Sequence, residues 1–526
     1  MEGIGQPPPT PSSAASETTG SSVIGGGAWQ LGSILLPQVT IVILSIAVAR
    51  LLGPEDFGRQ SFIAFAALST VMLLSSGLSL GLTRYAAELL GRGETTSLPS
   101  LVEWTASVQL GGAVVGGVGL ALVGALGAAP SAAWELAGLS TALAIMQTVP
   151  NSLLLGAQRF KQAGVIGLAT NLVAVPSTIA VVALGGGIVG IFAVEAAVIA
   201  VNLGWTVLVA RRTTRELVPD TRASARRWHA PLMRFAGLTT VETLVALVVW
   251  RRSEFFFLDA YSTDAEIGFY SIAFAAVSAL SLIPQALATT LTPAFATLAG
   301  AGEWGRIRSG FGRTLRLLTL AMLPIVAGAV ALGPGAIQLL YGEDYSKAGT
   351  VLLVMLVLLP LMPLYEGGTS LLAGLGLALT PMLLTAVAAA VNLGLDFIFI
   401  PRWDAIGAAA ASTVAQGVVI LPMTVYAFRV AGGVELHVSA LLRATAACAA
   451  AGLVAFGVWE ALGGAAGLLL GLVAGVAALA VLARLLRFVP AEDAAWLEDT
   501  VGSRLGGRVG RAVQFVSQRP IPSVSP

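Results

Sequence analysis

The chain has 526 residues, of which 56% are hydrophobic and 11% charged, and its mean hydropathy is +0.86. Soluble globular proteins carry about 25% charged residues, so the composition excludes that class and indicates an all-α polytopic membrane protein. The net charge of +1 offers no basic surface for nucleic acid. One cysteine and two histidines are too few for a disulfide framework or a metal cluster, and we expect neither a metal site nor a bound cofactor.

The chain opens with a segment, residues 1–27, that is rich in Pro, Ser, Thr and Gly and contains no Lys or Arg. A secretory signal needs a positively charged start. We therefore expect a disordered cytoplasmic tail here.

After this tail the chain consists of long apolar stretches. A membrane-spanning helix needs about 20 mainly apolar residues, and fourteen stretches qualify. They are residues 28–49, 60–83, 101–127, 131–155, 163–184, 187–210, 232–257, 267–295, 314–340, 349–373, 377–400, 405–428, 438–461 and 464–486. Before the second stretch, Pro54 followed by Glu55 and Asp56 predicts a helix start, because proline suits the first helical position and acids suit the helix dipole.

The loops between these stretches differ in charge. Seventeen Lys and Arg residues fall in even-numbered loops or at their borders, and six in odd-numbered ones. Cytoplasmic loops carry the excess of positive charge. We therefore predict that even-numbered loops and both termini are cytoplasmic, in a bacterial cytoplasmic membrane.

The chain also repeats itself. Residues 56–61, Asp-Phe-Gly-Arg-Gln-Ser, resemble residues 266–271, Glu-Ile-Gly-Phe-Tyr-Ser, and Ile-Val-Gly at 188–190 is matched by Ala-Ile-Gly at 405–407. Weak self-similarity of this kind is typical of transporters built from two bundles. We predict two six-helix bundles related by pseudo-twofold symmetry, at 28–210 and 232–428. A basic cytoplasmic linker at 211–231 joins them, two additional helices lie at 438–486, and the cytoplasmic tail 487–526 is either amphipathic or solvated.

The sharpest local feature is a charged group inside the predicted seventh span, formed by Arg251, Arg252 and Glu254. Ionisable side chains in a bilayer are costly unless they face a wet cavity or a partner. They are interpreted either as cavity residues that bind a diphosphate-linked sugar, since Arg binds phosphate through two hydrogen bonds, or as a structural ion pair or helix end. Arg84, four residues before Glu88, is either a further ligand or an anchor with an ion-pair partner.

Three single carboxylates lie in other predicted spans: Glu195, Glu242 and Asp396. Each is a candidate for coupling transport to a proton or cation, or else a polar contact between helices. The amides Asn171, Asn202 and Asn392 are predicted to be hydrogen-bond donors between helices. No phosphate-binding loop, paired-histidine helix or Gly-x-Ser-x-Gly motif is present, and the predicted external loops are short, so we expect a transporter and no enzyme.

Two segments identify a family. Residues 49–58, Ala-Arg-Leu-Leu-Gly-Pro-Glu-Asp-Phe-Gly, followed by Gly-Leu-Thr-Arg-Tyr at 81–85, resemble the opening of bacterial oligosaccharide flippases of the multidrug/oligosaccharidyl-lipid/polysaccharide exporter superfamily. In the second half, residues 268–271, 341–345, 392–396 and 406–409 agree with it.

This resemblance implies alternating access about a central cavity and export of polyprenyl-diphosphate-linked oligosaccharide for cell-surface polysaccharide. The expected partners are that substrate, membrane lipids and, in assembly, a polysaccharide polymerase and glycosyltransferases. The two additional helices resemble those of lipid II flippases. The alternatives are a lipid II flippase, a cation-coupled multidrug antiporter of the same superfamily, and a membrane glycan polymerase or ligase.

Overall fold

The computed structural model describes residues 40–218, 223–250, 253–377, 379–434, 437–490 and 492–493. Within these ranges the chain folds into α-helices joined by short turns and 3₁₀ helices, without a β-strand. The predicted all-α membrane class is confirmed. The predicted tail 1–27, and both Arg251 and Arg252, lie outside the described residues.

The helices are numbered in chain order. They are α1 (Thr40–Leu52), α2 (Pro54–Gly91), α3 (Leu98–Ala125), α4 (Ser131–Gly156), α5 (Phe160–Ala183), α6 (Gly187–Leu217), α7 (Arg226–Trp250), α8 (Glu254–Tyr261), α9 (Asp264–Gly300), α10 (Trp304–Tyr341), α11 (Ser346–Met355), α12 (Met362–Gly374), α13 (Leu379–Val430), α14 (Val438–Leu462) and α15 (Gly464–Leu486). As predicted, α2 starts at Pro54 with Glu55 and Asp56 in its first turn.

Among the described residues, eleven helices are long and apolar enough to cross a membrane. The predicted count of fourteen, the symmetry and the bundle boundaries stay predictions. Four predicted spans differ in detail from the helices. The seventh is divided between α7 and α8, the tenth contains a 3₁₀ segment (Leu356–Leu361), and the eleventh and twelfth join in α13 across a break at Asp404, where φ is 50°. Apolar length predicts a crossing, but it does not report backbone breaks.

Large apolar side chains cover the outside of the helices. Leu172 of α5 and Leu453 of α14 are 73% and 72% exposed. Contiguous apolar surface of this kind needs a lipid environment. Small residues let the helices approach one another inside: a β-carbon at Gly138 of α4 would lie 2.4 Å from the carbonyl oxygen of Gly117 of α3.

The helix ends form two faces of the molecule. One, which we call the basic face, carries the described turn residues 92–94, 157–159, 218, 223–225, 301–303, 431–434 and 437. The other, the opposite face, carries the turns at residues 53, 126–130, 184–186, 262–263, 342 and 463.

The last two helices pack on each other and on α10. A β-carbon at Gly471 of α15 would lie 2.7 Å from the Ala455 carbonyl oxygen of α14, and one at Gly335 of α10 would lie 2.4 Å from the Trp459 ring. Between these three helices remains an apolar groove of about 80 Å³, bordered by Pro324 and Gly452 among others.

Candidate functional site

The two repeated motifs contact each other at the opposite face, where α2 crosses α9. A β-carbon at Gly58 would lie 1.6 Å from the carbonyl oxygen of Asp264, and one at Gly268 would lie 2.9 Å from that of Pro54. Arg59 Nη2 lies 2.7 Å from Asp264 Oδ2 across the same crossing. The equivalent glycines of the repeat thus form a close helix crossing that an ion pair joins.

The other half of α2, toward the basic face, packs on α7. A β-carbon at Gly77 would lie 2.3 Å from the Ala236 carbonyl oxygen. The Tyr85 and Trp228 ring centroids are 5.6 Å apart. The helix α2 therefore contacts the second half of the chain near both faces.

Arg84 lies in this second contact region but not with the predicted partner. Its guanidinium group is placed 5.1 Å from the Phe235 ring centroid and 5.3 Å from that of Tyr85. Glu88 instead accepts a 2.5 Å hydrogen bond from Arg92. The predicted pairing of Arg84 with Glu88 is wrong, because α2 continues to Gly91 and brings Arg92 one turn beyond Glu88.

Between the two contact regions of α2 lies a cavity of about 320 Å³. Its lining is apolar with a few hydroxyl and amide groups, and no charged side chain is among the described residues that line it. The polar members are Ser45, Gln60, Ser61, Ser69, Thr178 and Ser271. Arg84 does not line this cavity. Because Arg251 and Arg252 lie outside the described residues, the predicted cationic cavity and the role of these two arginines stay predictions.

A buried acidic group lies beside this interface, in the second half of the chain. Asn392 Nδ2 donates to Glu254 Oε1 at 3.2 Å and to Asp396 Oδ2 at 3.0 Å. Glu254 is 2% exposed, and Asn392 and Asp396 are fully buried. We call these three residues the acidic cluster. It joins the first turn of α8 to the part of α13 that precedes the break at Asp404.

Polar groups surround the acidic cluster, but they do not pair with all of its oxygen atoms. Ser412 and the buried Tyr270 of α9 lie beside the Glu254 carboxyl group. Two oxygen atoms, Asn392 Oδ1 and Asp396 Oδ1, are buried and have no hydrogen-bond partner among the described residues. Buried oxygens are normally paired. Two carboxyl groups with unpaired oxygens around them are a site that a proton or a small hard cation satisfies.

The sequence predicts a different grouping of these residues. It places Glu254 with two arginines as a sugar–diphosphate ligand and treats Asp396 as a separate coupling group. The structure brings Glu254 and Asp396 together, although 142 positions separate them. Glu195 is half-buried on α6 and Glu242 is exposed on α7, and neither belongs to the acidic cluster. The Asn-x-x-x-Asp spacing was the sequence signal that could have placed Asn392 and Asp396 in one site, since residues four apart share a helix face.

A second polar group lies inside the first half of the chain, and it is neutral. Gln147 Nε2 donates to Asn202 Oδ1 at 2.6 Å, and Asn202 Nδ2 donates to Thr170 Oγ1 at 2.8 Å. Thr206 also donates to Asn202 Oδ1 at 3.0 Å. We call these four residues the amide network. The prediction that Asn202 and Asn392 are donors between helices is confirmed.

Comparison with known proteins gives two partial family matches. A model for a family of polysaccharide biosynthesis proteins matches residues 128–349, and one for the lipid II flippase MurJ matches residues 270–475. No curated protein matches the sequence.

Solved structures share the fold. A lipid II flippase MurJ in an inward closed conformation covers 89% of this chain and 98% of its own, with 13% identity and a TM-score of 0.66. An inward-facing multidrug resistance transporter of the MATE family covers 75% and 94%, with 14% identity and a TM-score of 0.61. A transporter of the same superfamily from Pyrococcus furiosus, described as having a binding pocket of reverse polarity, covers 78% and 93%, with 15% identity and a TM-score of 0.53. The superfamily resemblance seen in the sequence is confirmed.

Proposed function

We propose that this chain, a membrane protein with the fold of the multidrug/oligosaccharidyl-lipid/polysaccharide exporter superfamily, is a flippase for an anionic lipid-linked oligosaccharide. Its substrate is a polyprenyl-diphosphate-linked glycan used for cell-surface polysaccharide. The glycan crosses the bacterial cytoplasmic membrane from the basic face, which lies in the cytoplasm, to the opposite face.

The observation that carries this proposal is the pair of additional helices. The helices α14 and α15 pack on α10 and leave an apolar groove between the three helices. The MurJ structure covers 89% of this chain, whereas the MATE transporter covers 75% while matching nearly all of its own length. A drug antiporter does not need these two helices. A flippase can use their groove to hold the long polyprenyl chain of its substrate.

The contacts of α2 support transport by alternating access. Opening toward the opposite face requires that α2 leave α9 at the Gly58–Gly268 crossing and that Arg59 release Asp264. The pair is a third exposed on each side, with 35% and 30% of the side chains accessible, and exposed ion pairs contribute little stability. Separation at this point is therefore energetically accessible.

The acidic cluster supports coupling of this movement to a cation. Ion binding at Glu254 and Asp396 would join α8 to α13, and the next residue of α8, Phe255, stacks on Phe65 of α2 with ring centroids 4.9 Å apart. Ion binding at Glu254 therefore acts directly beside Phe255, a residue of α8 that contacts α2. A proton or Na⁺ gradient would then drive the cycle.

The test is translocation in proteoliposomes that contain the full chain and a fluorescent polyprenyl-diphosphate oligosaccharide. A membrane-impermeant glycosidase added outside measures the fraction of glycan that has crossed. We expect time-dependent loss of protection that protein-free liposomes do not show. Parallel assays use lipid II and a fluorescent cationic drug. Movement of the drug without the lipid-linked glycan would refute the proposal in favour of an antiporter.

A matched pair of variants ties the activity to the helix crossing. Gly58→Ala places a methyl group against the Asp264 carbonyl, whereas Gly119→Ala, on α3, makes the same change where no atom lies within 4 Å. We expect translocation to fall at least tenfold, that is by about 1.4 kcal/mol in activation free energy, for Gly58→Ala only. Equal activity of the two variants would contradict the role of the crossing.

A further inference from the structure

One side of α6 carries a continuous row of exposed residues that runs to the basic face. Its members are Val201, Gly204, Trp205, Leu208, Arg211, Arg212 and Arg215, and we call them the exposed stripe. Residues at this spacing share one side of a helix. Thr206, Ala210 and Thr213, on the other side of the same turns, are buried. The exposed stripe therefore faces away from the rest of the protein, and it changes from apolar to cationic along its length.

The apolar part of the exposed stripe lies within the membrane-spanning part of α6. Val201 and Leu208 are 65% and 59% exposed, and Trp205 is 40% exposed. Gly204 interrupts the row, since a β-carbon at this position would meet no atom within 4 Å. The missing side chain leaves a notch beside Trp205. Exposed apolar surface of this kind contacts lipid, and the notch gives it a shape that an acyl chain can fill.

The cationic part has no acidic partner in the described part of the chain. The helix continues to residue 217, so Arg211, Arg212 and Arg215 are held on the same side as the apolar residues. They make no hydrogen bond or ion pair with another described residue. The acid that follows them, Glu216, accepts a 2.8 Å hydrogen bond from Arg159 of the neighbouring turn. Three cations therefore lie at the membrane border without a counter-charge from these residues.

The end of α6 differs in this respect from other turns of the basic face. Arg92 pairs with Glu88, and Arg306 pairs with Glu303. At the exposed stripe, an anion from outside the protein can supply the missing charge. Clustered arginines at a membrane border attract anionic lipid headgroups, and arginine binds a phosphate group through two parallel hydrogen bonds.

We propose that the exposed stripe is a binding site for an anionic phospholipid of the leaflet at the basic face. The phosphate group binds to Arg211, Arg212 and Arg215, and an acyl chain lies along the apolar part, in the notch at Gly204. An amphiphile uses both parts of the exposed stripe, whereas a free anion uses only the arginines.

This site is separate from the cavity beside α2. Ile191, the described residue of α6 that lines that cavity, lies near the opposite face. The distance along the helix from Ile191 to Arg211 is about 30 Å at 1.5 Å per residue. The site therefore depends on the membrane location of the chain and not on the transported substrate.

The experiment measures the affinity of the purified full chain for phosphatidylglycerol in a neutral detergent. Phosphatidylcholine and inorganic phosphate are the comparison ligands. The variant Arg211→Gln/Arg212→Gln/Arg215→Gln removes the three cations and keeps polar side chains at the exposed positions. We expect it to bind phosphatidylglycerol at least tenfold more weakly than the wild type, with less than a twofold change for phosphatidylcholine. If this variant cannot be purified, Arg212→Gln alone should weaken binding about threefold.

A matched triple variant controls for the lost charge. Arg226→Gln/Arg402→Gln/Arg429→Gln removes three exposed arginines from α7 and α13. We expect it to change the affinity for phosphatidylglycerol less than twofold, because none of these arginines belongs to the exposed stripe.

The acyl-chain contact is tested by Gly204→Leu. Leucine fills the notch without displacing a neighbour, so we expect the affinity for phosphatidylglycerol to fall at least threefold. Gly237→Leu makes the same change at an exposed position of α7 where no atom lies within 4 Å, and it should have no effect.

The proposal is overturned if the α6 triple variant binds phosphatidylglycerol as tightly as the wild type, or if the matched triple variant loses as much. Equal binding of phosphatidylcholine by the wild type, or equal effects of Gly204→Leu and Gly237→Leu, would also refute it. Inorganic phosphate that displaces the lipid at equal concentration would show a free-anion site. Since translocation is not measured, none of these outcomes bears on the flippase proposal.

Discussion

The amide network and the acidic cluster are both polar groups that join helices within one half of the chain, but they differ in charge and in completeness. In the amide network, Asn202 donates to Thr170 and accepts from Gln147 and Thr206. In the acidic cluster, the amide of Asn392 serves two carboxyl groups, while oxygens of Asn392 and Asp396 have no partner among the described residues.

This difference distinguishes a polar group with a structural role from a polar group with a proposed functional role. A satisfied neutral network inside a membrane protein stabilises helix contacts by a modest amount. Two buried acids with unpaired oxygens oppose folding unless something neutralises them. The amide network therefore needs nothing further, whereas the acidic cluster is the site that we propose for a proton or cation. The following variants test that division, and the largest effect comes first.

Asp396→Asn should abolish cation-driven translocation and leave folding intact. The change keeps the side-chain shape and removes one of the two negative charges, so we expect a rate loss of about a hundredfold, or ~2.7 kcal/mol, with equal or higher thermal stability. Translocation with and without an imposed ion gradient, and thermal unfolding in detergent, measure the two effects. Retained gradient dependence would exclude Asp396 from coupling.

Asn392→Leu should reduce both readouts. The leucine side chain removes the amide that donates to Glu254 and Asp396, which leaves buried acceptors unpaired at a cost of about 2 kcal/mol. We expect lower stability in detergent together with loss of gradient dependence. A loss of stability alone would place Asn392 in the same class as Asn202.

Asn202→Leu should lower stability without affecting coupling. Three side-chain hydrogen bonds are lost, and at about 0.6 kcal/mol for each such bond in a membrane protein the expected cost is about 2 kcal/mol. The free energy of unfolding from a denaturant titration checks the value. A changed ion dependence in this variant would mean that the two polar groups do not divide as argued.

Thr170→Val gives the smallest effect. It removes one hydrogen bond to Asn202 and keeps the side-chain volume, so we expect a loss of about 0.6 kcal/mol and unchanged translocation. The same titration measures it, with Thr445→Val as control, because the exposed Thr445 hydroxyl bonds only within its own helix at 2.9 Å.

The sequence predicts the features that depend on local chemistry. The helix start at Pro54 follows from proline at the first position and two acids after it, and the superfamily is recognisable from residues 49–58. The division of the seventh span into α7 and α8 coincides with the charged residues Arg251, Arg252 and Glu254, where a helix end was one of the alternatives that the sequence left open. The pairing of Arg84 with Glu88 is not observed, since two glutamate–arginine spacings of four residues compete on α2.

The candidate site shows where tertiary structure is required. Composition alone requires a membrane protein, because too few charges are present to cover a water-facing surface, and the repeat alone indicates two related halves. The packing of α8 against α13 decides which carboxylates share a site. It brings Glu254 and Asn392 into contact although they lie 138 positions apart in the sequence. Likewise, Asp493 reaches Arg316 across 177 positions. Contacts of this kind arise from packing of distant helices, and side-chain spacing along one helix indicates only which residues share its face.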